Sequence, residues 1–263
     1  MKKVTFLALF VMLFLMSCSN NETQLVTSSG NSYFPTKIGN FWNYNIDSQT
    51  NRSKRDSLFI KKDTVINGLS YQKFKTKNTP IGFYCTITNG NSVRKSGDKL
   101  LLTGNAGLNF TAALPIDLAL SDFVVFSENA AENQELSVKT GVLDQTFTGL
   151  PLTMNYTLKS VAMNSMATYT TPGGKTYQNV KPIKMIFNLK ITTLLSGFPV
   201  PILNSQDVVT STLYFAKNIG VVYANTRIKY QLQSFAFPPN TAFPIPTSGD
   251  NTQQEFLDTY RIN

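Results

Sequence analysis

The chain has 263 residues, with 24 Lys and Arg against 15 Asp and Glu, and a formal net charge of +9. It contains no histidine, which removes the commonest general base, the Ser-His and Cys-His nucleophile pairs and imidazole zinc sites. Charged residues make up only 15% of the chain, against about 25% in ordinary soluble domains, and the basic ones are dispersed apart from Arg52-Ser53-Lys54-Arg55, so no basic face on a known nucleic-acid-binding module is present.

The amino end reads as a targeting segment. Lys2 and Lys3 precede an apolar run over residues 4–16, too short to cross a hydrocarbon core of roughly 30 Å, which needs about 20 apolar residues. A short apolar run behind positive charge is the pattern of a secretory signal. It ends in Leu15-Met16-Ser17-Cys18, which resembles the lipobox of bacterial lipoproteins. That resemblance implies that residues 1–17 are removed and that Cys18 carries lipid as the first mature residue. Several acyl chains on one residue attach a protein to a membrane stably, where a single chain is marginal. Residues 18–32 are rich in Ser, Asn, Thr and Gly and read as a flexible tether. Residues 33–263 remain for one folded domain.

That domain opens with Tyr33-Phe34-Pro35-Thr36-Lys37-Ile38-Gly39-Asn40-Phe41-Trp42-Asn43-Tyr44, in which Gly39-Asn40 signals a turn and Phe41, Trp42, Tyr44 and Ile46 a strand. Residues 57–65 and 70–76 flank Asn67-Gly68, the strongest short hairpin signal. Phe83-Tyr84-Cys85-Thr86-Ile87 is rich in β-formers and predicts a strand, with a second hairpin at Asn89-Gly90-Asn91. Cys85 is left without a disulfide partner once Cys18 is lipidated, and it reads as a buried structural thiol. Residues 99–126 are apolar and less regular, and Leu114-Pro115-Ile116-Asp117-Leu118-Ala119-Leu120 fits a short helix or a crossing loop. Glu128, Glu132 and Glu135 follow in a polar loop.

The second half alternates with period two. Met154, Tyr156 and Leu158 share one face; after a Pro172-Gly173-Gly174 turn, so do Met185, Phe187, Leu189 and Ile191; Val222, Ile228, Tyr230 and Leu232 follow. Such alternation puts one face on a core and one in water, and favours antiparallel sheet. Residues 256–262 predict a final strand. The fold expected is all-β: a single antiparallel domain, a curved meander sheet or open barrel with little helix. Trp42, Tyr44, Phe187, Leu189, Phe215 and Tyr230 are its expected core.

Two segments resemble those of known proteins. The opening stretch is similar to a Tyr-Phe-Pro-x-x-x-Gly-Asn-x-Trp-x-Tyr pattern in cell-envelope lipoproteins of the Bacteroidota, and Tyr214-Phe215-Ala216-Lys217-Asn218-Ile219-Gly220-Val221-Val222 resembles a closing segment of the same families. The resemblance implies a β-rich lipoprotein anchored at the cell outer membrane. It implies no activity, because most of those families have none assigned.

Little in the sequence carries chemistry. There is no P-loop, dinucleotide fingerprint or EF-hand loop, and nothing asks for a cofactor or a metal. Asp117 with Asp122, and Glu132 with Glu135, are the carboxylate pairs that lie close in sequence, and no motif supports either. Asp56-Ser57-Leu58 and Asp63-Thr64-Val65 resemble the O-glycosylation signal of Bacteroidota envelope proteins, on three residues each. Phe198-Pro199-Val200-Pro201 and Phe243-Pro244-Ile245-Pro246 predict extended loops, since proline suits no central strand. With Phe123 in the segment 108–126 and Phe237 before the second loop, Phe198 and Phe243 offer an apolar cover for the concave face of the sheet. The expected function is therefore non-enzymatic. A lipid-anchored envelope protein would bind an apolar small molecule in that concavity, or, alternatively, would bind glycan or a protein partner through exposed loops. An enclosed apolar pocket distinguishes the first from the second.

Overall fold

A computed structural model describes residues 32–48, 54–111, 114–147, 149–234 and 246–263. Among these the elements are β1 (Phe41–Ser48), β2 (Lys54–Ile66), β3 (Leu69–Thr76), α1 (Phe83–Thr88), β4 (Ser92–Ser96), β5 (Lys99–Thr111), β6 (Leu114–Ser127), β7 (Glu135–Phe147), β8 (Leu150–Ala162), β9 (Met166–Thr170), β10 (Thr176–Leu195), β11 (Phe198–Ala216), β12 (Gly220–Gln231) and β13 (Ser248–Arg261).

The strands form one antiparallel sheet in the order β6-β5-β4-β3-β2-β1-β13-β12-β11-β10-β8-β7, with β9 added to the start of β10. It consists of two meanders joined where the first strand pairs with the last. The sheet curls into a nearly closed barrel. Its seam lies between β6 and the β7–β8 edge, where the Ser160 hydroxyl donates to the Val124 carbonyl at 2.5 Å.

Local chemistry accounts for most of the strands. Asn67 and Gly68 both take positive φ (49° and 78°), as a two-residue hairpin turn requires, and join β2 to β3. Pro172-Gly173-Gly174 turns β9 into β10. On β8, Met154, Tyr156 and Leu158 are buried; on β10, Phe187, Leu189 and Ile191 are buried while Met185 is partly so. All six expected core residues are buried, and Cys85 is buried and free.

Four local expectations are corrected. Residues 83–88 form the helix α1, not a strand. Asn89-Gly90-Asn91 consequently leads from that helix into β4, with Gly90 N–H on the Phe74 carbonyl at 3.0 Å, and is not a hairpin between strands. Leu114–Leu120 is neither helix nor loop but the start of β6; this strand pairs only with β5, so Pro115 costs no second ladder bond. Phe198-Pro199-Val200-Pro201 opens β11, paired with β10 from Phe198 onward, whereas pairing with β12 begins only at Val209. Both prolines therefore sit where β11 has one neighbour, a setting that tolerates the missing N–H.

One end of the barrel is closed by the two motif segments, which meet although they lie far apart in sequence. Trp42 Nε1–H donates to the Ile219 carbonyl at 2.6 Å, and the Tyr44 hydroxyl to the Val221 carbonyl at 2.7 Å. Asn218 N–H donates to the Ser32 carbonyl at 2.7 Å. The Phe34 ring stacks on Trp42 at 5.8 Å and tilts against Phe215 at 6.1 Å. Gly220, at φ 107°, lies so close that a Cβ there would meet Trp42 Nε1 at 3.3 Å. The carboxyl end completes the closure, with Asn263 N–H on Asn40 Oδ1 at 2.9 Å. These residues build the floor of the barrel.

Candidate functional site

The barrel interior is divided by α1. The helix forms against local propensity, since Phe83-Tyr84-Cys85-Thr86-Ile87-Thr88 is mostly β-branched or aromatic. No side chain of its own caps it, so its first N–H groups need acceptors from elsewhere. Strand β13 supplies them. Phe83 N–H donates to Gln253 Oε1 at 2.6 Å, Tyr84 N–H to Glu255 Oε1 at 2.5 Å, and Cys85 N–H to Glu255 Oε2 at 3.3 Å. From β2, Asp56 accepts from Ile81 N–H at 2.9 Å and from Gly82 N–H at 2.7 Å. Gly82 is required there, because a Cβ would lie 2.1 Å from Glu255 Oε2.

Asp56, Cys85 and Glu255 come together among the described residues, with their carboxylate and thiol atoms within 4.8 Å of one another and all three buried. Burial, first, raises the Glu255 pKa to about 7 against the favourable N–H bonds, and Asp56 pushes the same way. Burial likewise drives the Cys85 thiol well up, aided by the charges of Glu255 and Asp56. A thiol held protonated is a poor nucleophile and a poor metal ligand. Each carboxylate already accepts from two backbone N–H groups. The cluster is therefore chemically a clamp that seats the helix.

Beneath α1 lies an apolar cavity of about 70 Å³, lined by Phe34, Tyr84, Ile87, Leu102, Leu120, Met185, Leu213 and Phe215 among others. Its two aliphatic hydroxyls are occupied: Thr88 donates to the Tyr84 carbonyl at 2.8 Å, and Ser211 bonds Thr226 at 2.7 Å. Water there would lack the two to four partners that hold buried waters. Above α1 the barrel opens into a mouth of about 560 Å³, lined by Ser48, Thr79, Thr86, Asn89, Asn251 and Thr252 with Ile81, Phe83 and Ile228. Phe83 borders both spaces.

No family model matches the chain, and neither do the curated proteins or the solved structures compared with it.

The sequence-predicted residues fall in different places. Phe123 is buried in the wall opposite Leu102. Phe198 is 73% exposed at the turn from β10 to β11. Neither lines the cavity or the mouth, and the 108–126 segment is largely regular strand instead of a loose cover. Phe237, Phe243 and Cys18 lie outside the described residues. Asp122 is not paired with Asp117; it holds Arg94 through two bonds of 2.9 and 2.5 Å and accepts from the Tyr71 hydroxyl at 2.7 Å, so Arg94 lowers its pKa. Glu132 and Glu135 are both exposed. Ser57 on β2 donates to Asn43 Oδ1 on β1 at 2.6 Å, and Asp56 beside it turns inward. The Tyr-rich strands stack Tyr169 on Tyr214 at 4.4 Å and tilt Tyr223 against Phe256 at 5.0 Å. The sequence missed α1 and its clamp. Their signal is the pair Gln253 and Glu255, spaced so as to share one strand face, with no charge partner nearby in sequence.

Among the described residues, no helix is long and apolar enough to cross a membrane.

Proposed function

We propose that this chain is a lipid-anchored, non-enzymatic protein of the cell outer membrane that holds an apolar small molecule inside its curved sheet. The observation that carries the reading is the apolar cavity of about 70 Å³ between α1 and the barrel wall, whose two aliphatic hydroxyls already have partners. An apolar group of a few carbon atoms, as much as about 70 Å³ admits, gains hydrophobic burial there. Anchoring rests on the lipobox-like Leu15-Met16-Ser17-Cys18 and would keep the protein beside the bilayer from which such a guest is drawn.

The test is native mass spectrometry and thermal shift of the purified protein against a panel of apolar molecules. Ligand that binds only the folded chain raises its melting point by mass action. Ala106→Leu, which fills the cavity from β5, is expected to abolish the shift while leaving the far-ultraviolet circular dichroism unchanged. For the anchor, Cys18→Ala is expected to leave the protein unprocessed or release it from membranes; a processed, membrane-bound variant defeats that part of the reading.

The alternative is a surface module that binds glycan or a protein through exposed loops. It is favoured by Leu194 and Phe198, 56% and 73% exposed at one hairpin tip. An apolar panel with no binder supports it.

A further inference from the structure

We infer that the hairpin joining β10 to β11 is a wedge that enters the surface of a lipid bilayer. The site lies on the outside of the barrel, at the end away from the floor, and is independent of the cavity.

A strand pair that packs on a core alternates, with one face given to water. At this tip neither face is. Leu194 lies opposite Pro199 on one face, and Leu195 opposite Phe198 on the other. Leu194 and Phe198 are 56% and 73% exposed. Ser196 and Gly197, both at positive φ, turn the chain in two residues and keep the tip narrow. Residues 191–206 contain no charged side chain, and neither do residues 145–158, which bring β8 alongside the hairpin with Leu152 opposite Thr193. Exposed apolar side chains grouped in this way mark a contact with a partner or a membrane.

The two apolar faces decide between those occupants. A protein surface covers one face of a projecting hairpin and leaves the other in water. Acyl chains are fluid and surround an inserted tip on every side, so both faces gain burial. The backbone suits that medium as well. A bare N–H is costly where no water reaches it, and Pro199 and Pro201 remove two donors from the stretch of β11 that has β10 as its only neighbour. Charge sets the depth. Lys190 lies four residues before Leu194, about 13 Å back along β10, and Asp144 on β7 lies three residues before Phe147, about 10 Å back. A tip submerged by roughly 5–10 Å therefore keeps both in the headgroup region. The rest of the rim takes no part, since Lys54 opens β2 and Asp117 is exposed on β6. Where Cys18 carries lipid, the geometry allows both contacts with one bilayer. Fourteen residues separate Cys18 from Ser32 at the floor, about 50 Å when extended, against about 40 Å for the 12 residues of β12.

The experiment is sedimentation with vesicles of phosphatidylcholine, which carries no net charge. The protein is the chain from residue 18 onward, which keeps every described element, with Cys18→Ala so that no acyl chain is attached. It is expected to sediment with the vesicles. Leu194→Asp with Phe198→Asp is expected to lower the bound-to-free ratio at least about tenfold, with the far-ultraviolet circular dichroism unchanged because both positions are exposed. Trp42, in the floor, is the only tryptophan, so Phe198→Trp places a second one at the tip. Its emission is expected to shift to the blue on binding and to be quenched by lipids brominated in the acyl chain, while Trp42 alone is not quenched. Absence of sedimentation, binding unmoved by the two aspartates, or a tip tryptophan that brominated lipid does not quench overturns the wedge. Binding that appears only with anionic vesicles and is lost in salt assigns the contact to basic side chains and overturns it too. None of these outcomes bears on the cavity.

Discussion

At the floor of the barrel, Trp42 and Tyr44 donate to the carbonyls of Ile219 and Val221, and Phe34 and Phe215 close the remaining space. At the mouth, Asn251 and Thr252 are exposed and border a cleft that no side chain among the described residues fills. The same curved sheet is thus pinned at one end by aromatic rings with satisfied polar tips, and left open at the other with neutral hydrogen-bonding groups. The difference separates two roles that one core would otherwise have to share. The chain's two motif segments meet at the closed end, and α1 stands between them and the open mouth.

Breaking the floor is expected to have the largest effect. Trp42→Ala removes a side chain that is 1% exposed and orphans the Ile219 carbonyl, so urea unfolding followed by circular dichroism is expected to show a loss of about 3–5 kcal/mol. A loss under about 1 kcal/mol would mean that the floor is not where the fold is held.

The boundary comes next. The Glu255 pKa rises on folding from 4.5 to about 7, so the folded chain binds that proton more tightly than the unfolded one. Its contribution is complete below about pH 4.5 and disappears as pH climbs through about 7, a fall on the order of 3 kcal/mol. The groups that face Glu255 are Asp56, Cys85, Tyr84 and Tyr44, and burial raises the pKa of the last three. Unfolding free energies measured at mildly acidic and mildly basic pH should decline for the native chain, and Glu255→Gln should flatten that decline whatever it does to absolute stability. A native profile that is flat or rising over this interval refutes the clamp as drawn.

Tyr44→Phe sharpens the comparison within the floor. It keeps the ring and leaves the Val221 carbonyl buried without its donor, with an expected cost of about 1–3 kcal/mol by the same denaturation. Smallest of all, Phe198→Asp at the far turn is expected to change stability by less than about 0.5 kcal/mol, and to leave ligand binding intact, because the side chain lines neither space. Loss of binding in that variant would return Phe198 to a cover over the site.

What was legible in the sequence follows the range of the forces involved. Asn67-Gly68 encodes its turn in two residues, and the alternation on β8 and β10 reports burial directly, so the sheet and its core could be read. The prolines at 199 and 201 misled, because tolerance of proline depends on which strand ends first beside it, and β12 pairs β11 only from Val209. The helix α1 was illegible because its first N–H groups are satisfied by Gln253 and Glu255, some 170 residues away. No local pattern around Phe83 carries that information; propensity there points to strand. The cavity was unreadable for the same reason, since its roof is that helix.

The pairing of β1 with β13 also sets a schedule for the growing chain. Strands β1 to β6 are neighbours in sequence and can zip locally, as can most of β7 to β12, so both meanders are accessible during synthesis. Until Ser248–Arg261 has been made, however, β1 and β12 each display a naked edge, and such edges recruit other chains. Over the same interval the α1 segment lacks the carboxamide and carboxylate that would hold it helical, and its strand-forming residues are free to pair wrongly. The last strand is therefore a latch in time as well as in space: one late event covers both edges and winds the helix that roofs the cavity.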